Sequence, residues 1–442
     1  MSKQSLLFSP NSFGSLLAEF ISPTKVASLA RRHRTSAAGA PAKISYFWLL
    51  AGMVFHLLQA SGVLSAHLKQ LTGKKLSDSA LSGRRKSIGL AFFQALLDQT
   101  LQGIAQAGIH SRAFYKGFLL TGIDGTTWSV GNTPPIKKSA KKTRSRRRTA
   151  AFFKLSTAAI YELGTHNPLA VRIGVNGESE MEMAMPLLSA FQTQWLLIAD
   201  RYYGLAKVVF FLLSLPTLTH FLLRIRKNLK SKPLQRLRDG SCLVEIRHNE
   251  TNKRVIIREI HAQVRRRSGQ WVSIRLWTNL LDPKQHPARE LVELYGLRWE
   301  QEIAYKELKI HLRRSSLLLS HTLVTAGQEV ACLILAQALV ARMRLDAAGD
   351  HTPILQISFL RTLDVFRSFW AISSLMADLL SSNDRPLLLR RLLHHLAQQA
   401  SPPRRKRSCP RALRQPVSSW PRLIKNASIK GSFQFRIIRK AS

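Results

Sequence analysis

Acidic residues are scarce in this chain: 25 Asp and Glu stand against 67 Lys and Arg in 442 residues, a formal charge of +42. So large a positive excess calls for a polyanionic partner, and nucleic acid is the default one. Cysteine is nearly absent as well. Cys242, Cys332 and Cys409 lie far apart, with no Cys-x-x-Cys pair and no histidines at zinc-finger spacing. That pattern argues against a disulfide framework or structural zinc and for reduced thiols in the cytoplasm. The first residues, MSKQSLLFSPNSFGSLL, lack the basic, apolar and small-residue order of a secretory signal. Long uninterrupted apolar runs are missing too. The stretches 44–64 and 208–223 are broken by His56, Gln59, Pro216 and His220, so buried helices or strands explain them better than membrane spans.

Hydrophobic residues make up 45% of the chain, enough for well-buried cores, which excludes a disordered basic tail protein. Residues 1–112 read as a helical unit with basic joints such as ARRHRTSAAGAPAK, suited to binding DNA ends or to capping the next domain. From Phe118 the pattern changes: FLLTGID, FFKLSTAAIYEL, PLAVRIGV, WLLIAD and HFLLRIR read as strands, with a helix at GESEMEMAMPLLSAF. Strands alternating with helices after an initial run of three describe a mixed α/β sheet. The expected organisation is a catalytic core over 113–227 and 287–400, interrupted by a β insertion at 228–286 and followed by a basic tail at 401–442. Two acid-free stretches, 136–148 and the tail, adhere to phosphate rather than fold alone.

With acids so few, their placement is informative. Asp124 closes the apolar run FLLTGID and Asp200 closes WLLIAD. Carboxylates at the ends of neighbouring core strands repel each other unless a cation sits between them, and their oxygens suit Mg²⁺ or Mn²⁺. A strand-ending turn or helix cap is the plainer explanation of either Asp alone. A third acid stands in LYGLRWEQEIAYKELK. At about 100° per residue, Tyr295, Arg298, Glu302 and Lys309 fall within roughly 60° of one another, whereas Glu293, Glu300 and Glu307 lie well away. Glu302 therefore shares a helix face with an aromatic and two basic residues suited to phosphate and base contact.

These residues carry a resemblance. Tyr295-x2-Arg298-x3-Glu302-x6-Lys309, with Trp299 after the arginine, resembles the Y-R-E-K signature of DDE transposases in the insertion-sequence-four family. DGTTWSVGNTP and LLIADRYYG resemble its first and second aspartate motifs, and the proline-containing basic tail is similar to that of some members. Asn132, where members often carry an acid, and the long basic run at 136–148 depart from the pattern.

The resemblance implies a ribonuclease H-like core in which Asp124, Asp200 and Glu302 hold two divalent ions, Mg²⁺ or Mn²⁺. It further implies cleavage of the ends of a bacterial insertion sequence and joining of the 3′-hydroxyl to target DNA, with a homodimer pairing two ends in the nucleoid. Arg298, Lys309 and Arg201 are the expected phosphate contacts. Tyr295 and Trp299 are expected to pack on sugar or an unstacked base, core packing being the alternative for Trp299. Two other functions fit the same residues: a ribonuclease H-like nuclease or resolvase that cleaves without joining, and an inactive DNA-binding derivative.

Overall fold

Serine opens three of the amino-terminal helices. Ser12, Ser45 and Ser77 stand ahead of α1 (Phe13–Phe20), α3 (Tyr46–Leu58) and α5 (Asp78–Lys86), and each hydroxyl accepts an N–H that the first turn leaves unpaired. Of the helices between and after them, α2 (Pro23–His33) begins on proline, α4 (Leu64–Thr72) ends on Gly73 at φ +70°, and α6 (Ala91–Thr100) closes the set. The computed structural model describes residues 12–34, 43–142, 150–191, 194–217, 219–248, 250–265, 269–313, 315–350, 352–381, 383–402 and 435–437.

The chain divides into two compact units. The first comprises Met1–Leu119, Ile123–Ala190 and Glu300–Ala400; the second comprises Leu120–Gly122, Phe191–Trp299 and Ser401–Ser442. In the first unit, β1 (Phe114–Tyr115) pairs with β2 (Phe118–Val130), and a short α7 (Pro134–Ser139) follows. β3 (Phe153–Glu162) and β4 (Pro168–Gly174) run antiparallel from Ser156↔Gly174 to Tyr161↔Pro168. A capping box of Ser179 and Glu182 starts α8 (Glu180–Leu188).

In the second unit, β5 (Trp195–Ala199) and β6 (His220–Arg224) are parallel and joined through α9 (Ala206–Ser214). The β insertion follows as β7 (Lys232–Arg236), β8 (Cys242–Arg247), β9 (Arg254–Arg265) and β10 (Trp271–Thr278), all antiparallel neighbours in the order β10-β9-β8-β7. Its interior is held by the buried Glu259. Burial pushes that carboxyl up, but hydrogen bonds from His261, Trp277 and Arg275 outweigh it and hold the group far below the usual carboxylate range. Helix α10 (Ala288–Tyr295) and a 3₁₀ turn, Gly296–Arg298, complete the run.

The chain returns to the first unit with α11 (Trp299–Lys306), a π-helical turn Glu307–Leu312, and then α12 (Leu323–Ala348), α13 (Phe359–Leu375) and α14 (Asp384–Gln398). One hydrophobic core in this unit joins Phe13, Phe55, Phe92, Trp128, Tyr161 and Leu335. The last described element, β11 (Phe435–Ile437), pairs with β9. Both β7 and β11 escape a reading by hydropathy, since β7 is exposed throughout and β11 is three residues long.

Followed through β2, which contributes residues to both units, the first five core strands stand in the order β4-β3-β2-β5-β6. With β3 and β4 antiparallel and β5 and β6 parallel, this is a mixed sheet, as expected from the sequence. The two apolar stretches 44–64 and 208–223 contain α3, and α9 with the start of β6. Among the described residues only α12 has the length and composition of a membrane-crossing helix, and 89% of its apolar window is buried inside the protein. Cys242 and Cys332 are free and buried. Cys409 and most of the basic tail lie outside the described residues, as does 143–148 of the basic run.

Candidate active site

Asp124 lies inside a strand and not at its end, contrary to the sequence expectation. β2 runs on to Val130 because the residues after Gly125, including Trp128 and Val130, keep the alternation of a half-buried strand. The turn explanation for Asp124 therefore falls away. Its carboxylate is half-buried and accepts the N–H of Gly125 at 2.9 Å. A methyl group on Gly125 would come 2.2 Å from the Glu180 carboxyl carbon, so Glu180, at the start of α8, packs directly on the residue after Asp124.

The signature segment is not one regular helix. Tyr295 ends α10, Arg298 lies in the 3₁₀ turn, Glu302 is in α11, and Lys309 is in the π-helical turn. A constant 100° step therefore does not describe how these residues are placed. Within the first unit, Glu302 is half-buried on a helix fastened from two sides. Gln301 Nε2 donates to the Ala159 carbonyl of β3 at 3.2 Å, and Gln337 Nε2 of α12 donates to the Ala304 carbonyl at 2.9 Å. Tyr305 Oη donates to the backbone oxygen of Asp124 at 2.6 Å. Lys309 Nζ donates to Thr126 Oγ1 and, at 2.8 Å, to the Thr127 carbonyl, and lies 5.1 Å from the centre of the Trp128 ring. The strand of Asp124 and the helix of Glu302 are thus joined at the aspartate itself and at the two threonines that follow Gly125.

Burial, and then repulsion from Arg313 and Lys154, lower the Lys309 ammonium to about 8, against the opposing pull of Asp124. Lys154 and Arg313 therefore belong to the same basic group along β2. Sequence reading missed both because Arg313 lies beyond the signature segment and Lys154 reads as an ordinary residue of β3.

In the second unit Asp200 directly follows β5 and accepts the N–H of Tyr202 at 2.7 Å, forming a tight turn. That turn rests on backbone: a methyl on Gly204 would come 2.0 Å from the Arg224 carbonyl oxygen. Tyr295 is 9% exposed, and burial raises its phenol while Arg298 and Arg224 pull it down and Asp200 adds to the rise. Asp200, Arg224, Tyr295 and Arg298 consequently form one electrostatic group. Arg224 was missed by sequence reading because it reads as an ordinary strand residue. Arg201 is exposed, and Trp299, 38% exposed with the Arg298 guanidinium 5.8 Å from its ring centre, is no core residue.

Glu300 and Glu307 depart most from expectation, since neither is a solvated helix-face residue. His166 Nε2 lies 2.9 Å from Glu300 Oε2, and Nδ1 lies 2.9 Å from Glu307 Oε2. Helical periodicity had no means of finding this, because the partner is a buried histidine in the β3–β4 turn.

The carboxylates of Asp124, Asp200 and Glu302 are hard oxygen donors of the kind Mg²⁺ and Mn²⁺ take, so the donor chemistry fits such ions. Among the described residues no three His, Cys, Asp or Glu side chains are gathered closely enough to hold a metal ion.

Comparison with known proteins finds transposases. Residues 117–337 match the family described as "Transposase DDE domain". A similar protein, the transposase InsG for insertion sequence element IS4 of Escherichia coli (strain K12), is 24% identical over 390 residues, 85% of each chain. Among solved structures, the cryo-EM structure of the piggyBac transposase synaptic complex with hairpin DNA matches with a TM-score of 0.43 at 10% identity, over 90% of this chain and 86% of that one.

Proposed function

Because the chain belongs to the DDE transposase family, of the insertion-sequence-four type, we propose that it cuts the ends of its own insertion sequence and joins the freed 3′-hydroxyl to target DNA. Asp124, Asp200 and Glu302 are the proposed ligands of two divalent ions, Mg²⁺ or Mn²⁺. Ions held by these carboxylates would supply activation of the attacking oxygen and charge stabilisation of the leaving one. DDE transposase domains are in general divalent-metal dependent.

One observation carries the assignment: Tyr305 and Lys309 both reach from the Glu302 helix to the strand of Asp124, within one unit. A solvated helix face has no reason to be fixed to an aspartate-bearing strand in this way.

The other residues divide by exposure. Trp299 and Arg201 present a ring face and a guanidinium to DNA. Tyr295, being buried, orients Arg298 and Asp200 for their work rather than stacking on a base. Lys309, with Lys154 and Arg313, supplies positive charge beside Asp124 for the scissile phosphate. The amino-terminal helices are proposed to read the element ends, and two copies to pair them, in the bacterial cytoplasm at the nucleoid.

The test is mobilisation of a resistance marker placed between the DNA ends that flank the gene. Insertions joined at both ends support a transposase, and cleaved ends that never join to target would instead support a nuclease or resolvase.

A further inference from the structure

We infer that His166, clasped between Glu300 and Glu307, is the positioning residue that sets the rotation of the helix carrying Glu302. The inference rests on Glu302 being the metal ligand proposed above. His166 is 1% exposed and sits in the β3–β4 turn at φ +59°, a backbone conformation uncommon outside glycine. The turn is fixed on its own side, since the His166 N–H reaches the Glu162 carbonyl at 2.9 Å. The imidazole is therefore a fixed post against which the helix is held.

Hydrogen counting gives the charge of the clasp. A neutral imidazole has one N–H and one lone pair, so it cannot donate to two ionised carboxylates at once. With each ring nitrogen 2.9 Å from a glutamate oxygen, both bonds form only when the ring is an imidazolium or when one carboxyl holds the extra proton. The far oxygen of Glu307 faces the buried Arg344 at 3.4 Å, and Arg344 also donates to the carbonyls of Ile357 and Ile354. In either protonation state the charges of His166, Glu300, Glu307 and Arg344 sum to zero, which is the condition for leaving charges buried.

The surrounding groups are consistent with this balance. The Tyr161 phenol, pushed up by burial and then by Glu307, stays neutral and donates to Gln337 Oε1 at 2.7 Å. The neighbouring Glu162 has its own partners, the Ile104 and Ala105 N–H groups and the Thr165 hydroxyl, with Arg342 facing it electrostatically. Burial alone pulls His166 down, but the charge of Glu307 and the bonds to Glu300 and Glu307 outweigh it and raise it above its ordinary value.

Position along the helix connects the clasp to chemistry. Glu300 and Glu307 bracket Glu302, and the helix changes from α to π geometry at Glu307. Holding both brackets to one imidazole leaves the segment between them no freedom to roll. A roll of the helix displaces the Glu302 carboxylate sideways, and positioning errors of about 1 Å cost on the order of a hundredfold in rate.

The test has two arms. In the metal-free full chain labelled at histidine Cε1, the NMR signal missing in His166→Gln is followed against pH, in wild type and in Glu300→Gln. The clasp predicts that His166 keeps its proton above the ordinary histidine value, and that Glu300→Gln lowers that midpoint. A midpoint at or below the ordinary value, unmoved by Glu300→Gln, overturns the inference whatever the enzyme does. In the second arm His166→Asn is compared with wild type in cleaving an end oligonucleotide. Positioning predicts at least a tenfold lower kcat with KM unchanged, and an unchanged kcat overturns it. Failure of the Glu302 assignment itself is read separately, from whether Glu302→Gln still cleaves.

Discussion

The Tyr305 hydroxyl donates to the backbone carbonyl of Asp124 across 2.6 Å, with Tyr305 three residues beyond Glu302 on the same helix. The bond goes to the main chain of the aspartate and not to its carboxylate. Burial, with the nearby Tyr161, Asp124 and Glu180, holds the Tyr305 phenol well above its ordinary range, so the proton stays available to donate at any working pH.

Removing that hydroxyl tests the tie. Tyr305→Phe keeps the ring and its edge contact with Tyr161, 5.6 Å away between centroids, and loses only the bond. The expected outcome is about 1 kcal/mol of stability lost in chemical denaturation. Cleavage of an end oligonucleotide falls several-fold, and affinity for it is unchanged in a gel-shift assay.

Lys309 makes the enzyme pH-dependent on the alkaline side. Its ammonium is lowered to about 8, so the group is charged below that pH and loses its charge above it. KM for the end oligonucleotide is therefore expected to rise above about pH 8 in wild type. Lys309→Arg, whose guanidinium stays protonated throughout, removes that rise. Identical KM profiles for the two proteins exclude Lys309 from phosphate binding.

Gly204 answers for the geometry of Asp200. Its substitution by alanine forces a methyl to within 2.0 Å of the Arg224 carbonyl oxygen, a backbone atom with no rotamer by which to move aside. Destabilisation of about 2 kcal/mol or more is expected for Gly204→Ala in thermal or chemical unfolding. Cleavage is lost to a greater degree than stability predicts, because the Asp200 turn itself shifts.

Charge sets the response to salt. With +42 on 442 residues, binding to DNA is expected to weaken steeply between about 50 and 200 mM salt, as counterion release requires. A flat plot of log K against log salt argues against an interface dominated by phosphate.

What was legible in the sequence were the features written locally. Apolar runs found β2 to β6 and β8 to β10, and the three motifs placed Asp124, Asp200 and Glu302 in the chain. What escaped depends on distant partners. Nothing near Glu300 or Glu307 announces a buried histidine more than a hundred residues away, and a helix wheel with one fixed step cannot register a 3₁₀ turn and a π turn inside a single segment. Asp124 was misplaced by its own neighbours: GID followed by GTT reads as a strand closing into a turn, yet the buried Trp128 and Val130 carry the strand onward. Arg224 and Lys154 were invisible because basic residues are everywhere in this chain, and only the fold sets Arg224 near Tyr295 and Lys154 near Lys309.

The most direct measurement is metal-dependent nicking of an end oligonucleotide by wild type, Asp124→Asn, Asp200→Asn and Glu302→Gln, with binding followed in parallel. Loss of nicking in all three variants, with affinity for the end retained, is the predicted result. A Glu302→Gln protein that nicks at the wild-type rate contradicts the assignment of the active site.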